Sequence, residues 1–186
     1  MPTEATAAAI KVVIAGGFGV GKTTFVGSVS EITPLNTEAT ITAASSGLDD
    51  MTGVPSKATT TVAFDFGRRT VDGITLYLFG TPGQDRFWYM WDDMARGAVG
   101  AIVLADTRRM GDCFASIDFF ERRSVPFIVA VNAFDGAPVY SAHDLREAID
   151  LAPDIPLVQL DARQAGSSTH ALIQLLRYRL NQPTTA

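Results

Sequence analysis

The chain holds one cysteine, Cys113, so no intrachain disulfide can form and a disulfide-stapled scaffold is excluded. No apolar run approaches the ~18 residues that a membrane-spanning helix requires. The opening residues MPTEATAAAI lack the basic region and long apolar stretch of a signal peptide. Neither Pro2 nor the terminal NQPTTA fits a lipidation pattern. The expectation is a cytoplasmic protein without direct membrane insertion, recruited to a membrane only through a partner. Basic charge is also short: 15 Lys and Arg against 20 Asp and Glu leave a net charge of −5. No nucleic-acid partner is expected, because binding a phosphate backbone needs a basic face. The pairs Arg68-Arg69, Arg108-Arg109 and Arg122-Arg123 are scattered and read as solvated surface. His143 and His170 show no metal-ligand or catalytic spacing.

Against these absences stands Gly16-Gly17-Phe18-Gly19-Val20-Gly21-Lys22-Thr23, which fits the Walker A pattern. The β-branched run Ile10–Ala15 precedes it as a buried strand, and the residues after Thr23 can continue as a helix. A strand, a glycine-rich turn and a helix are the context that the motif requires. Glycines let the turn aim several backbone N–H groups inward, and the helix N-terminus adds to their pull on an anion. Lys22 is then expected on the β- and γ-phosphates of a nucleoside triphosphate, with the Thr23 hydroxyl on Mg²⁺. Gly16, Phe18, Gly19, Val20, Gly21 and Thr24 complete the expected phosphate contacts.

At 186 residues, 47% of them apolar, the chain is expected to form one domain with a sizeable core, ordered over about 9–181. Strand and helix patterns alternate, which points to an α/β fold with a mainly parallel sheet. Strands are expected near 10–15, 61–67, 73–80, 99–106, 126–132 and 156–161. Helices are expected near 22–30, 84–96, 110–123, 141–151 and 167–181. Asp72-Gly73 reads as a hairpin turn joining one antiparallel edge pair. The stretch Glu31–Thr60, rich in Thr, Ser, Gly and Pro, is expected as a long loop that senses nucleotide.

Four more motifs follow in order. Thr59-Thr60-Thr61 precedes the second strand, and Thr61 is the candidate for a second hydroxyl on Mg²⁺ and an N–H on the γ-phosphate; the plain alternative is three β-forming threonines. Gly80-Thr81-Pro82-Gly83-Gln84 ends the third strand. There the Gly83 N–H would meet the γ-phosphate and Gln84 would orient an attacking water; a simple turn is the alternative. Asn132-Ala133-Phe134-Asp135 follows an apolar strand. The Asp135 carboxylate could accept both the N1–H and the N2–H₂ of guanine, donors that adenine does not offer together, while Asn132 braces neighbouring loops. Asp161-Ala162-Arg163 follows the last strand, where the Ala162 N–H could meet guanine O6.

With these residues in order, the sequence resembles the Ras-like small GTPases. Within them it is most similar to the bacterial MglA-like branch and to the small GTPase of conservon operons. The resemblance covers about Ile10 to Tyr178 and rests on the motifs above together with Phe64-Asp65-Phe66. It implies a P-loop NTPase fold with a six-stranded sheet and helices on both faces, GTP/GDP exchange and Mg²⁺. It also implies a roadblock-fold or GAP-like regulator and a neighbouring sensor kinase. Three departures qualify it. Gly80 stands where most relatives have the DxxG aspartate, which predicts weaker metal retention and faster exchange, with Asp65 or Asp106 as substitutes. Ala133 replaces the NKxD lysine and should loosen the base site. Phe18 should obstruct an incoming arginine and slow turnover. The expected function is a slow GTP-hydrolysing switch in signal transduction. The alternatives are a nucleotide-loaded interaction module and an ATP-using P-loop enzyme.

Overall fold

Apolar residues on both faces of a strand require cover from both sides, and the centre of the sheet is built from such strands. The computed structural model describes residues 9–41, 60–83 and 88–182, with the backbone alone for 36–41 and 60–63. Its strands are β1 (Ala9–Ala15), β2 (Leu35–Ile41), β3 (Thr60–Val71), β4 (Ile74–Gly80), β5 (Ala98–Asp106), β6 (Phe127–Asn132) and β7 (Leu157–Leu160). They form one sheet of order β2-β3-β4-β1-β5-β6-β7. All pairings are parallel except those of β3 with β2 and β4. The helices are α1 (Lys22–Val29), α2 (Tyr89–Ala95), α3 (Phe114–Arg122), α4 (Ala142–Ala148) and α5 (Ala165–Asn181).

Alternation along β1 divides the core. Val12 and Ile14 pack with Phe25 and Val26 of α1 and Leu172 and Leu175 of α5. Val13 and Ala15 join the opposite cluster with Trp91 of α2, Phe119 and Phe120 of α3 and Leu145 of α4. The expected α/β architecture is therefore present, and every expected strand has a counterpart. The Asp72-Gly73 hairpin is present too: both residues have positive φ (50° and 78°), the signature of a tight turn that matches strand twist.

Two expectations need correction. The Glu31–Thr60 stretch is not loop throughout, since Leu35–Ile41 adds a seventh strand outside the antiparallel one. An edge strand pairs with a single neighbour, so backbone hydrogen bonds can hold LNTEATI without an apolar run. The helix expected at 110–123 begins as a single 3₁₀ turn, Met110–Cys113, before α3. In the aromatic segment after Gln84, Trp91 and Met94 are buried and Met90 is partly buried. Trp91 packs edge-on against Phe119, and Tyr89 stays 58% exposed.

Candidate functional site

The C-terminal ends of β1, β4, β5, β6 and β7 bring the motifs to one edge of the sheet, where open α/β sheets bind ligands. The turn after β1 leads through Gly21, in a left-handed conformation (φ 105°), into Lys22, the first residue of α1. A side chain at Gly21 is barred, because its Cβ would lie 2.6 Å from Asn132 Nδ2. α1 has no side-chain cap and no acid in its first turn, so its leading N–H groups are available to an anion. Lys22 is 8% exposed and folds back to donate to the carbonyls of Gly16 (2.9 Å) and Gly17 (2.7 Å). Burial pulls its ammonium down to about 8, with the Asp65 carboxylate opposing the shift.

In front of the turn lies a cavity of about 460 Å³ lined by Gly19, Lys22, Thr23, Thr24, Asp65, Thr81 and Gly83, among others. The Thr23 hydroxyl donates to Asp65 Oδ2 at 2.7 Å. Asp65 lies directly opposite Gly80 across the β3–β4 ladder, and a Cβ on Gly80 would come within 3.0 Å of the Asp65 Cβ and Oδ2. A side chain at Gly80 would therefore crowd the Asp65 carboxylate, which would have to give way. The carboxylate missing from β4 has a counterpart on the neighbouring strand: of the two substitutes expected, Asp65 and Asp106, it is Asp65 that lines the cavity. Asp106 does not compete for this place. It is 3% exposed and held by a two-nitrogen grip from Arg108, whose guanidinium keeps its carboxyl below the usual range. The Thr81 hydroxyl is buried, lines the cavity and has no partner among the described residues.

These groups fit a hydrated Mg²⁺ beside phosphate. Such an ion uses one or two carboxylates with phosphate oxygens and water, and does not need an all-protein cage. Among the described residues no group of three or more His, Cys, Asp or Glu could hold a metal. Thr23, Asp65 and the unpartnered Thr81 hydroxyl are donors of the kind required. Thr61 is present as backbone in β3, next to Thr60 at the strand's start. Gln84 and Thr59 lie outside the described residues.

On the other side of the turn, Asn132 bridges two motifs: Nδ2 donates to the Val20 carbonyl (3.0 Å) and Oδ1 accepts from the Ala162 N–H (2.9 Å). The bracing expected of Asn132 is thus visible. The Ala162 N–H, expected to be free for guanine O6, is already donated to it. Arg163 grips Asp161 with Nε and Nη2, at 2.9 and 3.0 Å, and lays Nη1 on Asp135. Arg163 holds the Asp161 carboxyl below its ordinary value. Phe134, next to Asp135, carries the Arg108 guanidinium over its ring at 3.8 Å. Phe18 is 66% exposed at the outer lip of the cavity, and Arg109 donates to its carbonyl at 2.7 Å. Register selects Asp65 from the two acids expected: counting six residues back from Val71 and six forward from Ile74 about the Asp72-Gly73 turn pairs it with Gly80. Nothing in the sequence marked the buried Thr81 hydroxyl.

A family model described as conserved hypothetical ATP binding protein matches residues 14–182. An uncharacterized protein of Methanocaldococcus jannaschii is 28% identical over 128 residues, covering 68% of this chain and 71% of its own length. A probable translation initiation factor IF-2 of Thermofilum pendens is 33% identical over 104 residues, covering 55% of this chain; the match spans 16% of the factor's length. Among solved structures, the cytosolic domain of the T. maritima FeoB iron transporter in its apo form has a TM-score of 0.67 at 18% identity, covering 96% of this chain and 67% of that one. The G domain of the same transporter has a TM-score of 0.64 at 20% identity, covering 91% and 98%. A GDP form of the cytosolic domain matches with a TM-score of 0.67 at 19% identity, covering 94% and 64%. At these identities the likeness is one of fold. Among the described residues no helix is long and apolar enough to cross a membrane.

Proposed function

The chain belongs to the family described as conserved hypothetical ATP binding proteins, and from that premise we propose that it is a single G domain, a guanine-nucleotide switch with slow GTP hydrolysis. One observation carries the reading. Asn132 ties the phosphate turn to the Asp161–Arg163 loop, so the carboxylate of Asp135 and the phosphate cradle belong to one braced site. That arrangement suits a ligand with a guanine at one end and phosphates at the other. FeoB structures solved in GDP form, which share the fold, support the same choice.

In this reading Lys22 and the N–H groups of the turn hold the phosphates, with Gly83 on the γ-phosphate. Thr23 and Asp65 hold Mg²⁺ together with Thr61, and the metal neutralises charge that develops on the phosphate oxygens. Thr81 directs its hydroxyl toward the same oxygens, and Gln84 orients the attacking water. Hydrolysis stays at the slow unassisted rate because the exposed Phe18 ring obstructs the entry of an arginine from a partner. The sequence motifs favour the MglA-like branch and the GTPase of conservon operons within it. We therefore include a roadblock-fold or GAP-like regulator, a sensor kinase complex, a role in signal transduction and a cytoplasmic setting with membrane recruitment by a partner. The family description keeps an ATP-using P-loop enzyme as the second reading.

Single-turnover hydrolysis tests the switch. The purified chain should cleave bound GTP at a rate on the order of 10⁻⁴ s⁻¹, the scale of an unassisted small GTPase, and ATP more slowly. No GTP cleavage over many hours would leave a nucleotide-loaded interaction module. Faster ATP than GTP cleavage would support the enzyme reading.

A further inference from the structure

Arg163 uses three nitrogens in two ways. Nε and Nη2 form a parallel pair of hydrogen bonds to Asp161, whose Oδ1 also accepts the Arg163 backbone N–H at 3.0 Å. That fork fixes the plane of the guanidinium. The remaining arm, Nη1, lies 3.1 Å from Asp135 Oδ1 and 3.2 Å from Oδ2. A donor equidistant from both oxygens sits across the mouth of the carboxylate, near the bisector of its two inner lone-pair directions. This is where the adjacent N1–H and N2–H₂ donors of guanine would have to arrive.

We infer that Arg163 is a specificity-determining residue that competes with guanine for Asp135 and so narrows the preference for guanine over adenine. The inference rests on the proposed role of Asp135 as base reader. Guanine presents donors and must displace Nη1 to reach the carboxylate. While Arg163 stays in place, Nη1 occupies the mouth of the carboxylate and sets guanidinium N–H groups beside it. Those groups oppose guanine N1–H but suit adenine, whose N1 is an acceptor. The pair is open to solvent, with side chains 52% and 89% exposed, so displacement is feasible and its effect is modest. Ala133 adds no lysine that could hold the base independently of this pair.

The test is equilibrium titration of GDP and ADP, with Mg²⁺, into the full chain and into Arg163→Met and Asp135→Asn. Methionine keeps an apolar stem without donors, and both positions are exposed enough for the fold to tolerate the change. Arg163→Met should raise the GDP-to-ADP preference by about 2- to 5-fold, the range of an exposed ion pair, with tighter GDP binding and weaker ADP binding. Asp135→Asn should bring the preference close to one. If Asp135→Asn abolishes the preference while Arg163→Met lowers it or leaves it unchanged, the competition is refuted and the base-reading role survives. If Asp135→Asn leaves the preference unchanged, the base-reading role fails and this inference fails with it.

Discussion

Replacing Asp65 by asparagine should weaken Mg²⁺ retention by the nucleotide-bound protein by about 10- to 100-fold, the usual effect of losing a carboxylate that orients a metal site. GDP release should accelerate accordingly. The carboxylate touches Thr23, the expected metal ligand, and occupies the space opposite Gly80. The geometry also predicts how the loss can be repaired. Gly80→Asp alone should be harmful, because its Cβ would press within 3.0 Å of Asp65 and set two carboxylates together. The exchange Asp65→Gly with Gly80→Asp removes that clash and returns one carboxylate to the site. GDP release by the double variant, measured with and without Mg²⁺, should therefore move back toward the parent rate. A double variant as fast as Asp65→Asn would show that the acid works only from β3.

Lys22→Met should reduce nucleotide affinity by at least about 30-fold, since it strips a buried cation from bound phosphates. The lysine also predicts a pH signature. In the free chain burial lowers its ammonium from 10.5 to about 8. Its folded-state value lies below its unfolded one, so between about pH 8 and 10.5 the unfolded chain binds more protons and the free protein gains stability as pH rises. Below that window the ammonium is charged in both states and the gain disappears. Phosphates favour the charged form, so nucleotide binding should raise the value again and take up a proton. At pH 8 the uptake should be roughly half a proton per site. Calorimetry in buffers of different ionisation enthalpy measures it directly, with Lys22→Met as the control. Binding heats independent of buffer at pH 8 would contradict the shifted lysine.

Local rules were enough for much of the molecule. The run Ile10–Ala15, the glycine-rich turn and the Asp72-Gly73 hairpin each declare their conformation in a few adjacent residues, and their order prescribes the parallel sheet. The strand Leu35–Ile41 escaped because an edge position needs no apolar run, so LNTEATI looks like loop until β3 lies beside it. The phosphate side of the site was legible as a motif. Its acid was legible only as one of two candidates, because the choice of Asp65 over Asp106 depends on its register against Gly80. The base side was legible in residue types and misleading in detail. Asn132 braces the loops as expected, but it takes the Ala162 N–H, and Arg163 lays one nitrogen on Asp135, which depends on two loops meeting in space. Trp91 and Tyr89, two residues apart, go to the core and to solvent because a helix turns them to different sides.

The base that this site prefers is measured by competition between GDP and ADP for the purified chain at equilibrium, in Mg²⁺. With Asp135 as base reader, GDP should displace ADP at concentrations at least several-fold lower than the reverse exchange requires. Equal competition, or tighter binding of ADP, would contradict that role.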